Sequence, residues 1–316
     1  MKRLEVSHLT VTTGDIPLVT DSSFTLREGQ VLGLVGESGS GKTITSLALL
    51  GLLPEKVQMT AGSIQLNGQE ISHNSKEQWR KLRGEAMAII MQNPMTAFNP
   101  VRTIEKHFIE TLRAHKKLTK AEAYAIALQH LEKVELRNPM EIMKQFPFQL
   151  SGGMLQRVMI AITLALQPSV IIADEPTTAL DATNQLQVLK QLKLLQQKTN
   201  VAMLLISHDL GVISYLAQDV IVMYNGYIVE RAPKAELFAN PQHPYTKLLI
   251  ATRKGLSDGT AAKLPPHDVT RPPKTTEVTC PYIARCPLAD ASCKQQIEIV
   301  AITAQHEVRC QKVEVV

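Results

Sequence analysis

Three groups of residues have the types and spacing to do chemistry. The first is GESGSGKT, Gly36 to Thr43, of the form G-x-x-x-x-G-K-[ST]. Such a loop can cradle the phosphates of a nucleotide. The backbone N–H groups from Ser38 to Thr43 wrap the anion, Lys42 bridges the outer phosphates and the Thr43 hydroxyl ligates Mg²⁺. The second is SVIIADEP, residues 169–176, an apolar run that ends in Asp174 and Glu175. Two carboxylates at the end of a buried strand are costly unless they serve a cation or a reaction. Asp174 is placed to hold Mg²⁺ through water, and Glu175 to polarise an attacking water as general base. The third is the chain's full complement of cysteines, Cys280, Cys286, Cys293 and Cys310, spaced C-x5-C-x6-C-x16-C. This spacing lacks the paired C-x2-C knuckles of common zinc sites, which disfavours zinc against a metal cluster or simple thiols.

Positioning these groups requires particular elements. QVLGLV, residues 30–35, is a short apolar run that stops at Gly36, and TITSLALLGLLP has helical spacing up to Pro54. The loop therefore falls between a buried strand and a helix, whose N-terminus adds partial positive charge. A Gly/Ser linker would have no apolar strand before it. Downstream, AMAIIM, SVIIADE and VAMLLIS read as strands alternating with helices, which implies a mostly parallel core sheet covered on both faces. LEVSHLTV reads as an edge strand, and hairpins are expected about Asn67-Gly68 and Asn225-Gly226. From Thr103 to about Phe146 amphipathic helices follow one another without strands, as a helical insert. SDGTAAKLPPHDVTRPPK is rich in Pro, Gly and polar residues and reads as a linker to the cysteine segment, which is too small to build a core without a staple.

Bulk properties narrow the field. The 316 residues are 44% hydrophobic and 20% charged, ordinary for a globular protein. Aromatic content is 4% with one Trp, so no base-stacking platform is advertised. A net charge of +5 without a block of like charges argues against nucleic acid and permits anionic partners such as ATP or lipid headgroups. No secretion signal or apolar run of about 18 residues is present, so a soluble cytoplasmic chain is expected. Other chains would have to cross the lipid in any membrane process it serves.

Between and after the first two motifs lie Gln92, Leu150-Ser-Gly-Gly-Met154, Thr178-Ala-Leu-Asp181 and Ile206-Ser-His-Asp209. In this order the motifs resemble the nucleotide-binding subunit of an ATP-binding cassette (ABC) transporter, over about residues 1–255. The resemblance implies a P-loop ATPase cassette of α/β class, with an antiparallel β subdomain and a helical insert at about 95–165. A Pro-rich linker at 256–279 and a small Cys-rich extension at 280–316 would follow. It implies that ATP is held by Gly36, Glu37, Ser38, Gly39, Ser40, Gly41, Lys42 and Thr43, with Mg²⁺ on Thr43, Gln92 and Asp174. Gln92 would sense the γ-phosphate and couple it to the insert. Glu175 and His208 would act in hydrolysis, and Ser151, Gly152, Gly153 and Asp181 would work across a dimer of cassettes. Plain structural readings exist for several of these: Ser151 can cap a helix without ATP, a lone His is more often structural, and Gln92-Asn-Pro94 can simply end a strand. Two positions depart from the family. Met154 stands where Gln is usual, and VTTGDIPLV carries no aromatic to stack on adenine.

Finer features resemble the peptide/nickel import branch: MQNPMTAFNP, LSGGM-LQR, His243-Pro-Tyr-Thr246 and the tail motifs CPYIARCP and HEVRC. That branch implies an ATP-hydrolysing importer subunit for peptides, nickel or metal chelates, peripheral on the cytoplasmic face of the inner membrane. Its partners would be two membrane permeases, a second ABC ATPase and an extracytoplasmic solute-binding protein, with no nucleic acid. It also points to a [4Fe–4S] cluster on the four cysteines, acting as a structural staple, with His306 left on the surface. The alternative is a soluble ABC ATPase acting on nucleic acid or ribosomes. Such proteins commonly carry two cassettes or a long coiled coil, whereas this chain has one cassette and no sustained heptads.

Overall fold

The computed structural model describes residues 1–178, 180–258, 279–295 and 297–313. Most of the expected linker, residues 259–278, lies outside the described residues. Contacts divide the chain into two units: Met1–Glu5, Thr25–Val31 and Gln65–Ile206 form one, and Val6–Phe24, Leu32–Ile64 and Ser207–Val316 the other.

The first unit carries the strands β6 (Met87–Ile90), β7 (Val170–Asp174) and β8 (Ala202–Ser207). They pair in parallel in the order β8-β7-β6, with Ala88 opposite Ile171 and Ile171 opposite Met203. Strands buried on both faces need side chains that are apolar throughout, and every residue of β8 is buried. The helical insert expected from Thr103 is present as α3 (Ile104–His115), α4 (Lys120–Lys133) and α5 (Pro139–Lys144), followed by α6 (Gly152–Leu166). Thr103 and Thr119 cap α3 and α4 with side-chain oxygens, and Glu122 completes a capping box on α4. Each Leu or Ile fully buried among these helices contributes about 2 kcal/mol; Phe108, Leu112 and Leu131 have no exposed surface.

The second unit carries β3 (Val31–Val35), α1 (Lys42–Leu49), β9 (Asp219–Tyr224) and β10 (Tyr227–Pro233), with α10 (Pro244–Asp258) after them. β3 pairs in parallel with β9, and β9 turns back on β10 through Asn225 and Gly226, both at positive φ. This is the expected hairpin. The other one is also present: β4 (Val57–Leu66) pairs with β5 (Gln69–Glu70) across Asn67-Gly68. The opening strand β1 (Lys2–Thr13) is not an edge, because it lies between β2 (Ile16–Arg27) and β4. Its alternation is that of a half-buried strand, and pairing on both sides leaves no mark on such a pattern.

The cysteine segment corrects two further expectations. It adds the antiparallel strands β11 (Val300–Thr303) and β12 (His306–Val308) to β10, with Glu230 opposite Val308, so its core is borrowed from the cassette, whose strands β6 to β8 and β3 with β9 pair in parallel. His306 is fully buried rather than on the surface. Its Nε2 lies 2.8 Å from Glu230 Oε1 and its Nδ1 2.9 Å from Glu236 Oε1. A buried imidazole between two carboxylates ties β12 to β10 and to the helix Lys234–Ala239.

Candidate functional site

β3 delivers the chain to Gly36, and α1 starts at Lys42, so the phosphate loop occupies the strand-to-helix turn in the second unit. Glycine is required at two points. Gly41 sits at the N-cap with φ 106°, a left-handed value that side chains disfavour, and a Cβ on Gly36 would approach Met223 O to 2.1 Å. Ser40 O accepts from Gly226 N at 2.9 Å, tying the loop to the β9–β10 turn. Lys42 is buried, and its ammonium donates to Gly36 O at 2.8 Å, Glu37 O at 2.9 Å and Ser40 Oγ at 3.4 Å. Ser38, Gly39 and Thr43 are exposed, on the outer rim of the loop and at the helix start. His208 is exposed in the same unit, directly after β8.

Residues that were not assigned to the site hold this loop. The Tyr245 hydroxyl accepts from Glu37 N at 2.9 Å. Arg285, from the cysteine segment, donates two hydrogen bonds to the Glu37 carboxylate, at 2.8 and 3.2 Å. Tyr224, Tyr245 and Tyr282 pack edge-to-face or tilted with centroids 4.7 to 5.4 Å apart. The Arg285 guanidinium lies 5.7 Å from the Tyr224 ring and 5.8 Å from that of Tyr282. The Glu37 carboxylate raises the Arg285 pKa, while burial raises that of Tyr245 and pushes Tyr282 up to about 12. Burial likewise pushes His243 down to about 3, so it is neutral, and its Nδ1 accepts from Tyr245 N at 3.1 Å. The HPYT run, a family mark in the sequence, is thus the helix start that presents Tyr245 to the loop.

The first unit brings other expected residues together. Asp174 ends β7, and Glu175 follows with φ 46°, left-handed backbone that costs a non-glycine residue about 1 kcal/mol or more. Its geometry is held by Glu175 N donating to Ile206 O at 2.9 Å and by Thr178 Oγ1 donating to Glu175 Oε2 at 2.8 Å. Gln92, exposed after β6, donates from Nε2 to the same Oε2 at 3.5 Å. Ser151 caps α6 by accepting from Met154 N at 3.3 Å. Asp181 caps α7 (Ala182–Thr199), accepting from Asn184 N at 3.0 Å and Asn184 Nδ2 at 2.6 Å, and these bonds lower its pKa. A Cβ on Gly153 would meet Asn184 Oδ1 at 2.8 Å, so Asn184 links the two motifs. Ser151, Gly152 and Asp181 are all exposed.

The four cysteines are free thiols, and Cys286, Cys293 and Cys310 each lie near enough to Cys280 to act on it electrostatically. Burial pushes Cys280 up to about 11, and Cys293, Cys310 and Cys286 add to the rise; burial and neighbouring thiols also raise Cys286 and Cys310. Cys280 N donates to Cys293 O at 3.1 Å, and Lys312 N to Cys310 Sγ at 3.4 Å. The donor chemistry fits a thiolate-held cluster. As arranged, however, no group of three or more His, Cys, Asp or Glu among the described residues is set to hold a metal ion.

A glycine-rich strand-to-helix loop with a buried lysine, together with a parallel strand ending in Asp-Glu, defines a P-loop nucleotide hydrolase. Solved structures share the cassette fold: a dimeric ATP-binding cassette bound to ADP and Pi matches with a TM-score of 0.65 over 73% of this chain and 98% of its own, at 24% identity. An ATP-binding subunit of an ABC transporter matches with a TM-score of 0.62 over 75% of this chain and 92% of its own, at 25% identity. The profile of the family described as ABC transporter matches residues 19–178, and that described as oligopeptide/dipeptide transporter, C-terminal region, matches residues 229–293. The chain is 43% identical to the metal-staphylopine import system ATP-binding protein of Staphylococcus aureus, over 82% of this chain and 96% of that protein. It is 43% identical to an oligopeptide transport ATP-binding protein of Bacillus subtilis, over 93% of this chain and 90% of that protein. The chain belongs to the ABC transporter family and is its ATP-hydrolysing, ATP-binding component. Among the described residues no helix is long and apolar enough to cross a membrane.

Proposed function

We propose that this chain energises an importer for peptides or metal chelates, nickel included, by binding and hydrolysing Mg-ATP between two cassettes. The observation that carries the reading is the C-terminal region. Its match to the peptide-transporter C-terminal profile begins at Val229, and within it Tyr245 and Arg285 bond to Glu37 of the phosphate loop. Relatives over more than four-fifths of the chain are named for metal-staphylopine and oligopeptide transport. In this reading residues 1–255 are the nucleotide-binding domain and 280–316 its extension. Gly36 to Thr43 hold the triphosphate, and Thr43, Gln92 and Asp174 hold Mg²⁺. Glu175 accepts a proton from the attacking water, and His208 contacts the γ-phosphate. Ser151, Gly152, Gly153 and Asp181 meet a partner cassette. Two permeases, a second ATPase and an extracytoplasmic binding protein complete the system, and this chain sits peripherally at the cytoplasmic face.

Tagged Glu175→Gln protein, recovered with ATP from detergent-solubilised membranes of its own cell, tests the assembly. Two permeases and a second cassette are the expected companions, and their identity narrows the solute. A ribosomal or nucleic-acid retinue without permeases overturns the importer.

The four cysteines are proposed to ligate a [4Fe–4S] cluster as a staple for the tail, supported by the nearness of the other three to Cys280 and by the donor set. Anaerobically purified protein should then contain iron and inorganic sulfide and be brown, and Cys286→Ser should lose both. Protein free of iron under those conditions removes the cluster from the proposal.

A further inference from the structure

A phosphate-binding loop works by offering N–H groups and positive charge to an anion, so an acidic side chain within it opposes its purpose. Glu37 is such a residue, the second in the loop. Its carboxylate is met by Arg285 in a two-bond fork, 2.8 and 3.2 Å, with side chains only 15% and 8% exposed. The same residue is a node of the loop's backbone: its carbonyl accepts from Lys42 Nζ at 2.9 Å and from Ser40 N at 3.2 Å, and its N–H donates to Tyr245.

We propose that Arg285 is a positioning residue of the ATP site, neutralising Glu37 and thereby holding the phosphate loop ready for the triphosphate. The fork keeps the Glu37 carboxylate turned into the tyrosine cluster. Without it, the carboxylate opposes the incoming phosphates and competes with them for the Lys42 ammonium, whose loop contacts already lie on either side of it. Planar, two-bond recognition is what a guanidinium supplies and an ammonium does not.

Arg285 reaches this position because the tail fixes it. It ends a 3-10 turn, Ile283–Arg285, bracketed by Cys280 and Cys286. Ile283 N donates to Cys280 O at 3.1 Å and Arg285 N to Tyr282 O at 3.0 Å, while Tyr282 is buried against Tyr224 and Tyr245. The cysteine segment is therefore a working part of the nucleotide site. It contributes a guanidinium that meets the Glu37 carboxylate from outside the loop.

The test is Mg²⁺-dependent binding of the fluorescent analogue TNP-ATP, together with ATPase KM and kcat, on the full chain. Arg285→Ala should raise Kd and KM about tenfold while kcat at saturation changes about twofold or less. Arg285→Lys should fall between it and wild type. The decisive variant is Arg285→Ala combined with Glu37→Gln, which removes the exposed charge and should recover most of the lost affinity. A purely structural arginine would not be rescued, since glutamine restores neither the fork nor the packing. Affinity in the double variant no better than in Arg285→Ala, or wild-type affinity in Arg285→Ala, overturns the proposal. If Arg285→Ala does not fold, Arg285→Gln with and without Glu37→Gln gives the same comparison with the side-chain volume largely kept.

Discussion

Glu175→Gln is expected to bind ATP as the native protein does while turning it over about a hundred- to a thousandfold more slowly, the loss of one positioned general base. Gln is isosteric and can still accept from Thr178 Oγ1 through its carbonyl oxygen, but as a neutral amide it cannot take up the proton. The structure supports so clean a separation. Glu175 is fixed by its backbone bond to Ile206 and its side-chain bond from Thr178 at 2.8 Å, neither of which needs a negative charge. The unfavourable φ of 46° is retained as well, because Gln and Glu share the same backbone preferences. With hydrolysis blocked, ATP should hold two cassettes together, seen as an ATP-dependent shift to a dimer by light scattering. Hydrolysis at the native rate would remove Glu175 from the reaction.

Lys42→Ala should weaken Mg-ATP binding by roughly thirtyfold, about 2 kcal/mol, the worth of one charge-assisted hydrogen-bond donor to phosphate. The effect divides into two parts. The ammonium is lost to the nucleotide, and the acceptors it serves in the loop, Gly36 O, Glu37 O and Ser40 Oγ, also lose a donor. Thermal unfolding without nucleotide separates them, since only the second part lowers the melting temperature of the apo protein. Isothermal titration with Mg-ATP measures the first. Native affinity in Lys42→Ala would refute the phosphate role.

Much of this site was legible in the sequence, and for a local reason. The strand, loop and helix around residues 30–49 are contiguous, so apolar runs and glycine placement are enough to specify them. The same holds for the two Asn-Gly hairpins, whose turns demand positive φ and therefore name their own residues. Ser151 and Asp181 illustrate a mixed case. The cap by Ser151 follows from sequence, while the cap by Asp181 and the contact between Gly153 and Asn184, which spans 31 positions, appear only in the structure.

The errors share one cause. An edge strand and a central strand have the same alternation, so only the pairing with β2 and β4 places β1 inside its sheet. His306 stands between the polar residues Gln305 and Glu307, so nothing local marks it as buried. The strand alternation that turns it inward exists only because β12 pairs with β10. Nothing in the 37-residue tail announces that it adds to another sheet, which shows only in the pairing of β12 with β10.

What the sequence by itself determined is the chemistry on offer: a phosphate loop, a carboxylate pair, the ordered family motifs and four thiols, each carried by neighbours within a few residues. The tertiary structure alone decided how those groups are supported. The pairing of Glu37 with Arg285 joins residues 248 apart, and the bond to Tyr245 joins residues 208 apart. Charge compensation at such separations depends on which chain segments pack together. That is set by the summed burial of the sheet and the tyrosine cluster, and no short window of sequence contains it.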